Sequence, residues 1–413
     1  MPLADKTFLS HHVYLFIIDL SLFFSFGRQI PDYEAEEPGY TLGILRGYQY
    51  AFAKQDVSAP SLSHEFLKGL HKQVMHHHPE FCGKYLTHPA HFQLFTDQNS
   101  VSGKVCTASA SFEGVLEFIQ SSLAIPEATH SLVLNCVGID EQTALRESIC
   151  LEGKDRRLLM MHEVKAQDYL AKRDNPIIQS ALQLTGKLQS RKHKGFLCGI
   201  NSLLQSPDEV ESKLSAIFAS YYKMILQAQA DDEKLRVIVS HVQRISQRHP
   251  FDDGNTRLCT ILLNRLLKEN HLPFTLLFNP NRFDGFSIDE LVQFVKEGQQ
   301  YCAELLQANT PAFETDVYLN RARLAGLQTQ DLPPITLPAD PAMKQAVDNF
   351  VHLLQLEQQS LVAKARIKPS SQLPKCMMFK QYDDASSLIT NEFLVQAHIE
   401  EPSSCKFALS LRP

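Results

Sequence analysis

His249-Pro250-Phe251-Asp252-Asp253-Gly254-Asn255-Thr256-Arg257 brings an imidazole, two carboxylates and a guanidinium into nine consecutive residues. The flanks of this stretch decide the fold. On its amino-terminal side, Leu235, Ile238, Val242 and Ile245 recur at three- and four-residue spacing behind Asp231-Asp232-Glu233, which predicts a helix over Asp231–Arg248. Pro250 disfavours helical backbone in the residue before it, so His249 is expected on a turn, with its ring free to face a cleft. On the other side, Leu258, Ile261, Leu262, Leu263, Leu266 and Leu267 predict a second helix that ends near Asn270-His271-Leu272-Pro273.

The first turn of that second helix is Gly254-Asn255-Thr256-Arg257. Backbone N–H groups at a helix amino terminus lack partners and carry the positive end of the helix dipole, and a glycine lets a phosphate come close to them. Arg257 adds a planar cationic fork suited to phosphate. Asp253 is a hard oxygen donor suited to Mg²⁺, which takes one or two carboxylates together with substrate phosphates. His249 titrates near neutral pH and is the natural general base. Asp253 could instead serve only as a helix cap, and Asp252 is expected to face solvent.

These residues resemble the signature of the Fic family of protein-modifying transferases: His-Pro-Phe, any residue, Asp or Glu, Gly, Asn, Gly, Arg, two residues, Arg. Thr256 stands where the family has Gly, and Thr260 stands at the second Arg. The similarity runs over about 231–306. The resemblance implies a mainly α fold, a Fic-type helical core with a short β-hairpin flap, carrying amino- and carboxy-terminal extensions. It also implies that His249 deprotonates a Ser, Thr or Tyr hydroxyl of a target protein and that Asp253 holds Mg²⁺. Gly254, Asn255, Thr256 and Arg257 then cradle the phosphates of ATP or another nucleotide donor, and Phe251 is the buried anchor of the turn. The leading expectation is AMP transfer from ATP. Transfer of phosphocholine or another group from a diphosphate donor is one alternative, since a neutral Thr260 cannot read a third phosphate. A catalytically silent binding module on the same scaffold is another.

The flap has two candidates. Gly83-Lys84-Tyr85-Leu86 with His91–Phe95 could form a hairpin, and Gly195, Phe196 and Leu197 within Lys194–Ile200 are the favoured choice. Many relatives in the family carry an inhibitory helix of the form Ser/Thr, three residues, Glu, then Gly or Asn. Thr143-Ala144-Leu145-Arg146-Glu147-Ser148 departs from this at its last position. In the family that Glu pairs with the second Arg, so Thr260 argues against Glu147 as a brake.

The 413 residues are 44% hydrophobic and 21% charged, with a net charge of −6, an ordinary globular composition long enough for a sizeable core. The mild acidity leaves no footprint for nucleic acid. Nine cysteines without paired short spacing suggest neither a disulfide framework nor a zinc knuckle, and point to a reducing compartment. The apolar run Val13–Phe26 carries Asp19 and is too short for a membrane span, so it reads as buried core. It also lacks the basic lead-in and small-residue cleavage site of a signal peptide.

Further helices are expected over 60–74, 112–123, 176–188, 208–229 and 342–367, and a strand over 131–137. His76-His77-His78 reads as a solvated turn, because adjacent histidines cannot all face one metal. A proline-rich connector occupies 326–341. The resulting division is an amino-terminal region of mixed helix and strand over 1–165, the catalytic core over 166–310, a connector over 311–341, and a carboxy-terminal helical region and tail over 342–413. The expected partners are a hydroxyl-bearing protein target and a nucleotide. The expected location is cytoplasmic or, given an apolar tail after Ile399-Glu400-Glu401, a host cell reached by secretion from a bacterium.

Overall fold

The computed structural model describes residues 4, 6–20, 30–53, 62–88, 91–96, 110–111, 114, 117, 130–133, 138–139, 144–145, 196–202, 206–307 and 340–367. Helices dominate: α1 (Lys6–His12), α2 (Ile30–Glu36), α3 (Tyr40–Ala53), α4 (His64–Val74), α5 (Pro207–Gln227), α6 (Asp231–Arg248), α7 (Asn255–Glu269), α8 (Ile288–Gln307) and α9 (Pro341–Ile367). The strands are short: β1 (His91–Thr96), β2 (His130–Val133), β3 (Gly138–Ile139), β4 (Ala144–Leu145) and β5 (Phe196–Ser202).

The two helices that flank the motif begin and end where their side chains dictate. Glu233 closes the start of α6 by accepting from the backbone N–H of Ala230 at 3.1 Å and of Gln229 at 2.8 Å. Ser206 and Glu209 form a reciprocal capping box at the start of α5. Leu235, Ile238, Val242 and Ile245 on α6 and Leu258, Ile261, Leu262 and Leu266 on α7 all lie in one buried cluster. Each such side chain, fully buried, contributes roughly 1.5–3 kcal/mol relative to exposure.

The same cluster takes in helices from both ends of the chain. On α3, a Cβ at Gly47 would meet Ile261 Cδ1 at 2.7 Å and Val74 Cγ2 at 2.7 Å, so the glycine is what lets α3 lie against α7 and α4. Asn264, buried on α7, donates to the Thr275 carbonyl at 3.1 Å and accepts from its N–H at 2.8 Å, tying the helix to the segment that follows it. Met343, Val347, Phe350 and Leu354 form the expected buried face of α9, and Gln358 donates to the carbonyls of Ala4 and Leu306. Val13 and Leu15–Leu20 are buried as expected of core, and no helix among the described residues is long and apolar enough to cross a membrane.

The strands differ from expectation. Gly83–Leu86 is not a strand, and β1 pairs antiparallel with β5 rather than with its own neighbour in sequence. The two flap candidates thus meet each other: Phe196 pairs with Thr96 and Leu197 with Phe95, while the other edge of β5 takes β2. Strands need partners for their backbone groups, and here β5 finds them more than sixty residues away along the chain instead of across a tight turn. Ala144 and Leu145 belong to a two-residue strand paired with β3, not to a helix. Gly195, Glu147 and the helices expected over 176–188 lie outside the described residues, as do all but Gly114 and Glu117 of the one over 112–123.

Candidate active site

α6 ends where Pro250 requires. His249 caps the helix in the left-handed region, φ 43° and ψ 62°, an uncommon conformation for a residue other than glycine. The chain then turns through Phe251 and re-enters helix after Gly254, whose φ of 72° is also left-handed. A Cβ at Gly254 would meet Met75 Sδ at 2.6 Å and Cγ at 2.8 Å, so this position needs glycine on both counts.

The loop is pinned from inside and outside. From inside, Asn255 accepts from the N–H of Phe251 at 3.1 Å and donates to its carbonyl at 2.8 Å. This leaves Asn255 to offer an anion its backbone N–H, since its side chain holds the turn. From outside, Phe251 is only 1% exposed and stacks on His71 with ring centroids 3.8 Å apart and planes 8° from parallel. The His71 ring is itself fixed: Nδ1 accepts from the Gly83 N–H at 2.8 Å, so Nε2 carries the proton donated to the Asp253 carbonyl at 2.9 Å. Burial pushes its pKa down to about 4, which keeps it neutral.

Behind His249 lies Asp284, at the end of a short 3-10 turn (Pro280–Asp284) and buried. It accepts from Ser246 Oγ at 2.8 Å. Burial raises the Asp284 pKa, while the neighbouring charge of His249 and the Ser246 bond pull it back down.

Asp253, Thr256, Arg257 and Thr260 line one cavity of about 240 Å³ together with Asp19, Tyr33, Glu37, Tyr40 and Asn281. His249 is not part of that lining and stands at the other end of the loop from Asp253 and Arg257. Arg257 is 11% exposed: its Nη1 donates to Glu37 Oε1 at 2.8 Å, its Nη2 is 3.5 Å from Asp253 Oδ1, and its guanidinium lies over the Tyr40 ring. Thr256 Oγ1 donates to Asn281 Oδ1 at 3.3 Å. Thr260 Oγ1 donates back to the Thr256 carbonyl at 2.9 Å, within its own helix. No second cation replaces the one missing at Thr260 from this helix, because Arg265 binds the Ala51 carbonyl and Glu269, and Lys268 pairs with Glu357. Asp253 is 62% exposed at the cavity, which suits a single carboxylate for a Mg²⁺ that keeps waters and takes its other oxygens from a donor. Asp252 faces outward, beside His88.

Several of these groups lay beyond the reach of sequence reading. Glu37 belongs to the acidic run Glu34–Glu37 ahead of Pro38-Gly39, and nothing in that run announces Arg257, 220 residues downstream. His71 reads as one more residue of an amphipathic helix. His77, expected to be solvated, is instead largely buried and bonded to Glu37 at 2.6 Å.

A family model described as the Fic/DOC family matches residues 157–267. Phosphocholine transferase AnkX of Legionella pneumophila is 40% identical over 99 residues, which are 24% of this chain and 10% of that protein. A crystal structure of a Fic domain containing signaling protein from Bacteroides thetaiotaomicron aligns over 89% of this chain and 91% of its own, with 14% identity and a TM-score of 0.29. The motif loop His249–Arg257 and most of the two helices that flank it thus lie within the segment that matches the Fic/DOC family.

Proposed function

We propose that the chain is a transferase that moves a phosphate-bearing group from a nucleotide donor onto a Ser, Thr or Tyr hydroxyl of a protein. One observation carries this reading: a single rigid turn holds His249 at one end and, at the other, the α7 amino terminus with Arg257 and Asp253 around a cavity. His249 takes the proton of the attacking hydroxyl, whose oxygen forms the new bond to phosphorus as the phosphoanhydride bond breaks and pyrophosphate leaves from ATP, or CMP from CDP-choline. The backbone N–H groups of the first turn of α7 and Arg257 bind the phosphate oxygens. Mg²⁺, held by Asp253, would neutralise charge on the phosphates.

AMP transfer from ATP is the activity that the family resemblance implies first. Phosphocholine transfer from CDP-choline is the second reading, and the cavity lining supports it. One arginine there is accompanied by Asp19, Glu37 and Asp253, and Tyr33 and Tyr40 add aromatic faces. Carboxylates and aromatic rings are what a quaternary ammonium group prefers. The phosphocholine activity of the similar Legionella protein agrees with it, over the tenth of that protein that matches. In either form we read the enzyme as a bacterial effector that acts on host proteins, with the regions on either side of the motif helices selecting the target.

The test is intact mass of the protein and of candidate host lysate proteins after incubation with Mg²⁺ and each donor in parallel. Addition of an AMP mass with ATP alone supports the first reading, and addition of a phosphocholine mass with CDP-choline supports the second. Binding of either donor without any mass shift in any target would leave a silent binding module and overturn the transferase reading.

A further inference from the structure

We propose that Glu37, His77 and His78 form a site for a divalent transition metal ion of the zinc class, and that filling it releases Arg257 towards the donor. One ligand atom from each of the three residues lies within 4.8 Å of the other two. Glu37 Oε1 is 2.6 Å from His77 Nε2 and 3.7 Å from His78 Nε2. Four-coordinate zinc with bonds of about 2.0–2.1 Å spaces its ligand atoms about 3.3 Å apart, so the two carboxylate–imidazole separations need only open by about 0.7 Å and close by about 0.4 Å, and the two ring nitrogens start within 4.8 Å of each other. Two imidazole nitrogens and one carboxylate suit Zn²⁺, Co²⁺ or Ni²⁺, whereas Mg²⁺ and Ca²⁺ favour all-oxygen sites. Three protein ligands leave a further position for water.

The surroundings hold these side chains in place. His78 Nδ1 donates to Glu80 Oε1 at 3.2 Å, which leaves the Nε2 lone pair facing Glu37, and its ring stacks on Phe81. A carboxylate on the far nitrogen is the usual partner of a metal-bound histidine. The loop after α2 is fixed by Glu34, whose carboxylate accepts from the N–H groups of Gly39 at 2.8 Å and Thr41 at 2.7 Å. Gly39 has a φ of 97°, and a Cβ there would come within 3.1 Å of His77 Cβ, so the glycine permits the close approach that brings Glu37 to the histidines. The side chains of His77, Glu37 and His78 are 10%, 20% and 34% exposed, sheltered yet reachable by an ion.

The oxygen that faces both histidines also accepts from Arg257 at 2.8 Å. A dication on Glu37 Oε1 competes with the guanidinium for that oxygen and repels it, so Arg257 turns to an anion in the cavity. Metal and donor then strengthen each other's binding by the same factor, as linkage requires. This consequence rests on the transferase reading, but the metal site itself does not.

The experiment uses the full chain, stripped with a chelator and titrated with Co²⁺, whose visible absorption reports nitrogen and oxygen ligation at low coordination number. The expected result is one strongly bound Co²⁺ per chain, displaced by Zn²⁺, lost in His77→Gln and His78→Gln, and weakened about 10–100-fold in Glu80→Gln. His78 and Glu80 are near the surface, so those two variants stay folded even if His77→Gln does not. Equal Co²⁺ binding by wild type and His78→Gln overturns the site. In parallel, ATP and CDP-choline affinities are measured with and without Zn²⁺, and about tenfold tighter ATP binding with Zn²⁺ is expected. An occupied site with unchanged donor affinity overturns the release of Arg257. Failure to bind either donor under both conditions counts against the transferase reading and leaves the metal result standing.

Discussion

Asn255→Ala is the variant that best separates a turn-holding side chain from a phosphate ligand. The side chain makes two hydrogen bonds, both to the backbone of Phe251, and both residues are buried. Alanine leaves one N–H and one carbonyl without partners, each costing about 1–3 kcal/mol. It also loosens the turn that seats Phe251, although the ring keeps its contacts with His71 and Tyr85. A net loss of about 2–6 kcal/mol follows, which in a chain of 413 residues lowers the melting temperature by roughly 2–7 °C. The measurement is a thermal melt without nucleotide, followed by titration calorimetry with ATP and with CDP-choline at a temperature where the variant is folded. A melting temperature within about 1 °C of wild type, together with lost donor binding, would refute the argument, because the amide would then have been reaching the phosphates.

Four further outcomes are expected. His249→Ala lowers transfer about 10²–10⁴-fold while leaving donor affinity nearly unchanged, and unaltered labelling by the variant would remove His249 as the base. Asp253→Ala weakens donor binding and turnover together and is partly rescued by raised Mg²⁺, so a defect indifferent to Mg²⁺ argues against Asp253 as a ligand. Gly254→Ala loses about 1–2 kcal/mol from its left-handed backbone, and adding Met75→Ala relieves the steric part alone, as urea denaturation of the two variants would show. His71 is neutral in the fold with a pKa near 4, against an ordinary 6.5, so its contribution is complete above pH 6.5. As pH falls from 6.5 to about 4, the unfolded chain takes up the proton first and stability declines by up to about 1.4 kcal/mol per pH unit. His71→Asn should flatten this limb, and identical acid limbs in variant and wild type would mean that the ring is protonated in place.

Local physics made the helices around the site legible. The bounds of α6 follow from acids at its start and a proline after His249, and the apolar spacing of α7 has no other good reading than a buried helix. The buried face of α9 follows from the same periodic reasoning, the core role of Val13 and Leu15–Leu20 from apolar composition, and the burial of Phe251 from the family resemblance. What the sequence could not disclose depends on pairing across distance. β5 and β1 each carry a plausible strand pattern, yet nothing local states that they are partners. His71, Glu37 and Asp284 act through contacts made only once α4, the loop after α2 and the 3-10 turn pack onto the motif loop. The histidine triplet reads as a solvated turn for the same reason: nothing in it shows that Glu37, supplied from elsewhere, faces both His77 and His78.

The placement of Glu37 changes how the motif's electrostatics should be understood. Asp253 and Glu37 both lie beside Arg257, and Asp19 lines the same cavity, so the Arg257 guanidinium is already balanced before any phosphate arrives. A donor gains the full attraction of Arg257 only if Glu37 gives up its hydrogen bond, which to a charged group is worth about 1.5–3 kcal/mol. Two features of a ligand can offset that: a metal ion on the carboxylates, or a cationic group carried by the donor. The first is available through Asp253 and through the Glu37–His77–His78 cluster, and the second only to a donor such as CDP-choline. Removing the charge with Glu37→Gln therefore strengthens ATP binding more than CDP-choline binding, because only the latter has an ammonium group for the carboxylate to hold.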